Sequence, residues 1–424
     1  MAMRAGSADL PLHSGRVPAW LHTRMAALGA LIAEAIVREY GRDEFLRRLA
    51  HPFWFQSFGA VMGMNWHSSG ITTSVIGALK RGLAPLSAEL GLSVCGGRGR
   101  HSRATPAELR AVGERTGLDG DALARASRLV AKVDGAAVQD GFALYLHGFV
   151  VADDGKWAVI QQGMNDRTAR RYHWLSEGLT SFVDSPHAAI AGPNRGEIVN
   201  LADRRAAGSR ARQLDLLRDF GPGRIVREVA AIEGRAAPAQ PSLPHLALPA
   251  HHEVRGEDVI LRRLHGAFAA AAEAGPRDFP DLLLVPGVGP RTVRALAQVA
   301  EVVHGAPCRF ADPARFAFAH GGKDRHPFPV PLAVYDRTLA VLRDAVARAK
   351  LGNDDRMAAL KRLDAESRRL ERTAAGPSAA AAIAAELRAS HGFGGMSVFG
   401  PEPAVAETAT ERSAAAPCAG EKRA

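Results

Sequence analysis

With 424 residues, 47% of them hydrophobic, the chain is long enough for two or three domains and apolar enough to bury real cores, which excludes a globally disordered protein. Lys and Arg number 54 against 44 Asp and Glu, and the net charge of +10 with a pI near 10.0 points to a polyanionic partner, nucleic acid before an anionic membrane. Cys95, Cys308 and Cys418 form no C-x-x-C pair, which argues against a disulfide framework, a disulfide-linked partner and a cysteine-rich zinc site, and fits a reducing cytoplasm.

The N-terminal MAMRAGSADLPLHSG lacks the charged and then apolar regions of a secretory signal. Residues 26–37, AALGALIAEAIV, are too short to span a bilayer and contain Glu34, so no membrane partner is expected. They belong to a helix opening near Pro18, with Leu21, Met25, Leu28, Leu31, Ile32 and Ile36 at helical spacing and Gly41 as its stop. Shorter helices are expected at 42–50, 53–62, 71–90, 106–116 and 120–133. The basic, glycine-rich GLSVCGGRGRHSRA (91–104) between them reads as a mobile surface loop.

Strand signals follow. FALYLHGFVV (142–151) and KWAVIQQGM (156–164) alternate with period two around the turn ADDG, and RRYHW (170–174) and EIVNLA (197–202) add further candidates. Helices return near 209–233, and four prolines mark 236–252 as a linker. The sequence therefore predicts an α+β fold: a helix-rich N-terminal domain with a small antiparallel sheet (1–235), the Pro-rich linker (236–252), an all-α helix-hairpin-helix domain (253–390) and a disordered tail (391–424).

That second domain takes its expectation from LLLVPGVGPRTVRALA (282–297), which resembles the helix-hairpin-helix DNA-binding motif. Gly287 and Gly289 permit a tight bend and keep side chains out of the path of a phosphate, while Val288 anchors the bend inward. Pro290 suits a first helical position, and the N–H groups around it face an anion. Gly287, Val288, Gly289, Arg291, Thr292 and Arg294 form the expected DNA-binding stretch, gripping backbone without reading sequence. The motif also occurs in base-excision glycosylases, where a catalytic aspartate follows about twenty residues on. Asp312, in roughly that place, reads first as a helix cap before Pro313. Arg291 stands where bifunctional glycosylases carry lysine, which argues against Schiff-base chemistry.

Three polar clusters mark the first domain. Asn65, His67, Ser68 and Ser69 precede a helix, as caps or as an anion site. Amides and cations crowd 161–174, with Arg170, Arg171 and Trp174 as the expected contacts to a strand or an unstacked base. Asp184 and His187 lie together in FVDSPHAAI. His67, His147, Asp166 and His173 are the candidate reactive centre, with histidine as acid or base, and Asp166 and His173 are the first ligand candidates for a divalent metal. The expected function is DNA processing or repair by a nuclease- or glycosylase-like hydrolase. The alternatives are a non-catalytic nucleic-acid binder and a small-anion or nucleotide enzyme.

PFWFQSFGAVMGMNWHSSGITT, GKWAVIQQGMN, ARRYHW and AHGGKDRHPFPV together resemble a family of uncharacterised bacterial and archaeal proteins, domain of unknown function family 763, over about residues 13–350. The resemblance implies no activity. Members carry aspartate more often where this chain has Asn65, which weighs against a metal or acid role there.

Overall fold

The computed structural model describes residues 10–11, 19–62, 64, 70–165, 168–234 and 256–314, with a few isolated positions beyond. The expected linker lies outside the described residues, as do His67, Asp166 and nearly all of the expected tail.

The first helices fall where apolar spacing places them: α1 (Ala19–Tyr40), α2 (Arg42–Ala50) and α3 (Pro52–Val61), with Gly41 at φ 89° breaking the first from the second. The expected 71–90 helix is instead α4 (Gly70–Leu83), a 3-10 turn and the short α5 (Ser87–Leu90), because Pro85 removes a helical donor. After Gly117, at φ 78°, the longer pair α6 (Arg100–Thr116) and α7 (Gly120–Lys132) folds back on itself. Asp119 caps α7 by accepting from the Ala122 N–H at 2.9 Å.

The glycine-rich stretch 91–104 is not a loop. Its first half is the strand β2 (Leu92–Arg98), and α6 starts only two residues later, at Arg100. The glycines serve close approach: at Gly96, with φ 87°, an added Cβ would stand 2.1 Å from the His147 carbonyl oxygen.

The main sheet is wholly antiparallel. β1 (Leu10–Pro11) is a short edge pairing, and the body is β4 (Ala143–Ala152), β5 (Trp157–Met164) and β6 (Thr168–Leu175). The order is β1-β6-β5-β4-β2, and β7 (Ala189–Ala191) shares the outer side of β6. A second sheet joins β3 (Val138–Gln139), β8 (Glu197–Asn200) and β9 (Arg309–Ala311). EIVNLA is thus a strand, but not in the main sheet, and the segment after residue 304 contributes β9 where only helix is expected.

Both faces of the main sheet are covered. Leu146, Val150, Ala158 and Ile160 pack under α1–α4 in one cluster. Phe149, Val151, Trp157, Val159, Tyr172 and Trp174 face the other way, into a second cluster with α6 and α7. That cluster continues through α8 (Ala207–Asp219) and α9 (Gly221–Ile232) into α10 (Gly256–Ala274), α11 (Phe279–Leu284) and α12 (Pro290–His304). Leu282, Val288 and Val293 therefore share one core with Val130 and Val133, and no gap in the apolar packing separates the described parts of the two expected domains. The architecture is mixed helix and antiparallel sheet, with the sheet as the middle of three layers.

Candidate functional site

The bend between α11 and α12 follows from its sequence. Asp278 caps α11 by accepting from the Asp281 N–H at 2.7 Å. The Val288 N–H then donates to the Val285 carbonyl at 3.1 Å, closing a turn with Pro286 second and Gly287, at φ 87°, third. This is the position at which a type II turn demands glycine. Gly289 caps α12 with no side-chain acceptor, and the first turn of α12 holds no acid, so its leading N–H groups are uncompensated.

Pro286, Gly287, Arg291 and Arg294 are exposed, and a Cβ added at Gly287 or Gly289 would meet nothing within 4 Å. Val288 and Thr292 are buried, so they contribute through their backbone or through packing and not by side-chain contact with a ligand. The bend is held from the first half of the chain. Lys132, at the end of α7, donates to the Val288 carbonyl, and Gln139 donates to the Pro290 carbonyl at 2.9 Å. The Arg294 Nε donates to the Gln139 Oε1 at 2.6 Å, and Arg125 pairs with Asp281 at 2.7 Å.

The other expected contacts lie elsewhere. Arg170, Arg171 and Trp174 are completely buried in β6, which puts them out of reach of an external strand or base. Arg170 pairs with Asp140 at 2.9 Å and with Asp312 at 2.6 Å, on the α7 face of the sheet. Arg171 points the opposite way and donates to Thr72 at 2.8 Å and Gln56 at 2.9 Å. The Trp174 Nε1 donates to Asp134 at 2.9 Å. All three side chains donate to partners inside the protein, as burial requires.

His147 and His173 do not meet. His147 shares a face with its cross-strand partner Gln161, bonding it through Nδ1 at 2.7 Å and Ser127 through Nε2 at 2.9 Å. His173 is opposite Ile160 and faces α2 and α3, with its Nδ1 against the Leu49 carbonyl at 3.1 Å. The sheet stands between them, so the expected reactive centre does not assemble from these two. Burial lowers the pKa of His147. Burial, and after it the charge of Arg171, holds His173 well below the usual imidazole range. Both are neutral core residues. His67 and Asp166, which complete the expected set, lie outside the described residues. Among the described residues no three His, Cys, Asp or Glu side chains gather as a metal site.

Sequence reasoning missed Asp134 as an organiser. It sits in the π-type turn Val133–Ala137 that ends α7 and accepts from Trp174, Gln161 and His187, the last at 2.5 Å. Its partners lie between 27 and 53 residues away in the chain, so no local pattern announces it. Asp184, grouped with His187 in the sequence, turns instead to Arg210.

A separate cleft of about 1000 Å³ opens along the free edge of β2 between α4–α5 and α6. Lys80 and Glu108 pair across it at 2.7 Å and engage the outward backbone carbonyl and N–H of Gly96. Cys95 lines it, with its thiol pushed by burial up to about 12, too high for a nucleophile at neutral pH. None of the residues expected from sequence lines this cleft.

A sandwich of helices around an antiparallel sheet, with an open glycine bend fixed on its second helical layer, defines a class of architecture and no chemistry. The chain belongs to the family Protein of unknown function (DUF763), whose model matches residues 6–330. No curated protein and no solved structure matches the chain. No helix among the described residues is long and apolar enough to cross a membrane.

Proposed function

We propose that the chain is a DNA-binding protein that holds the sugar-phosphate backbone at the Val285–Gly289 bend, without reading base sequence. One observation carries this reading: the leading N–H groups of α12 are uncapped at an open, glycine-lined bend, beside the exposed Arg291, which has no carboxylate partner among the described residues. The turn itself demands only Gly287; a bend serving only to join helices has no need of a second glycine at 289, where the backbone is extended and an added Cβ would meet nothing within 4 Å, nor of a first turn without acids. A role in DNA processing or repair is consistent with backbone binding, but His147 and His173 do not supply its chemistry.

The test is fluorescence anisotropy with a labelled 24-base-pair DNA duplex at about 50 mM salt, where phosphate contacts are strongest. Arg291→Glu, an exposed change that leaves the core intact, should weaken binding at least tenfold, and Gly287→Asp should weaken it further. Equal affinity of wild type and Arg291→Glu would reject the bend as the binding site. No binding by the wild type would reject the function.

A further inference from the structure

GGRGRHSR (96–103), read from sequence as a loop, is ordered into the end of β2 and the start of α6, and the bend alone gives it no role. It leaves Arg98, Arg100, His101 and Arg103 exposed. Arg98 lies over the Tyr145 ring at 5.6 Å, and none of the three arginines has a carboxylate partner among the described residues, in contrast to Arg38, Arg47, Arg110, Arg205 and Arg218. Arginines so placed repel one another and the positive end of the α6 dipole. That arrangement costs stability unless an anion uses it.

The topology places this cluster beside the bend. α6 and α7 run antiparallel: Gly113 lies against Gly120, and Arg110 pairs with Asp121 at 2.6 Å. From that turn, 13 residues back to Arg100 and 12 forward to Lys132 each span about 19 Å at 1.5 Å per residue, so the two ends lie level. A second chain of contacts agrees. A Cβ at Gly97 would stand 3.3 Å from that of His101, Gly97 is opposite His147, and His147 bonds Ser127 of α7. The next residue, Arg128, is exposed and also has no carboxylate partner among the described residues. Lys132, one turn on, holds the Val288 carbonyl of the bend.

We infer that Arg98, Arg100, Arg103 and Arg128 form a second phosphate contact, and that with the bend they make one track for duplex DNA. This rests on the DNA-binding reading above. The track crosses two helix–helix spacings, about 20 Å, or about six base pairs along one strand. Its donors are guanidinium groups and backbone amides. The exposed large hydrophobics among the described residues are Tyr40, Ile232, Val302 and Val303, none of them in this cluster or at the bend. Single-strand binding draws on Phe, Tyr or Trp faces on which bases stack, and among the described residues the track exposes none of these, so duplex is the form it fits.

The experiment measures affinity by anisotropy across a salt series for a 24-base-pair DNA duplex, the same duplex in RNA, and dT24. Arg100→Ala/Arg103→Ala, both exposed, should lower duplex affinity about tenfold and flatten the slope of log K against log salt by about 2, one unit for each phosphate contact. Arg128→Ala should flatten it by about 1. An unchanged slope in these variants, with Arg291→Glu still impaired, would overturn the second contact and leave the bend standing. Tighter binding to dT24 than to the DNA duplex, or equal binding to the RNA duplex, would overturn the choice of duplex DNA. A wild type that binds none of the three would overturn both readings.

Discussion

Asp312 separates a structural role from a catalytic one. Its side chain is fully buried and fully used: it takes Arg170 at 3.0 and 2.6 Å, the Arg195 N–H at 2.7 Å and the Ala314 N–H at 3.0 Å. It thereby ties the segment after α12 to β6 and to the 193–196 turn. Replacing it with alanine strips one of two carboxylates from a buried guanidinium and leaves two N–H groups without their acceptor. Breaking a buried pair costs about 3–5 kcal/mol, and each orphaned donor about 1–3 kcal/mol. These costs overlap, and Arg170 keeps Asp140, so the expected loss for Asp312→Ala is about 4 kcal/mol, a large part of the roughly 5–15 kcal/mol that holds a domain folded. Asp312→Asn, which keeps the shape and an acceptor oxygen, should lose about half of that. Urea unfolding followed by tryptophan fluorescence reads this directly, since Trp157 and Trp174 are buried in the same core. In a double-mutant cycle, Arg170→Met with Asp312→Ala should fall short of the summed losses by about 2 kcal/mol. An Asp312→Ala protein within 1 kcal/mol of wild type would refute the structural account. A stable Asp312→Asn protein that had lost turnover on damaged DNA would restore the catalytic one.

Three other outcomes follow from the same geometry. His147 and His173 are held neutral by burial, so the folded state resists protons that the unfolded state accepts near pH 6.5. Their stability contribution is present above that pH and is lost as pH falls below it, by up to about 1.4 kcal/mol per pH unit for each group, which urea titrations at pH 7.5 and pH 5.5 will detect. An unfolding free energy equal at the two values would contradict their burial as neutral groups. Gly96→Ala puts a Cβ 2.1 Å from the His147 carbonyl oxygen at a backbone φ of 87°, and a melting temperature lowered by 5 °C or more would confirm a tight strand there where a loop would tolerate the change. Lys132→Met removes the ammonium that holds the Val288 carbonyl while keeping the aliphatic stem, so DNA affinity should fall several-fold with an unchanged salt slope, because no phosphate contact is lost. A flattened slope would instead put Lys132 on the DNA.

The parts legible in the sequence are those built from local patterns. The apolar spacing of α1–α3, the Asp-Asp-Gly turn between β4 and β5 and the Pro-Gly-Val-Gly bend each carry their geometry within a dozen residues. The family, too, is legible in its long motifs. Arg170 and Arg171 mislead because two adjacent cations in a strand look like a solvated face. They are buried because the strand has protein on both sides, and their partners Asp140, Asp312, Gln56 and Thr72 lie 30 to 142 residues away. β2 is missed because its glycines, chosen for close approach to β4, carry the same signal as a loop. The histidines mislead for a related reason: sequence shows their number but not that His147 and His173 emerge on opposite faces of one sheet.

The central claim, a backbone-gripping bend, is tested most directly by hydrogen–deuterium exchange of the full chain with and without a 24-base-pair DNA duplex. The leading amides of α12 are uncapped and the bend is open, so they should exchange quickly in the free protein. The account predicts marked slowing of a peptide covering 285–294 on addition of duplex, with smaller slowing over 98–104. Saturating duplex that leaves 285–294 exchanging at its free rate would contradict it.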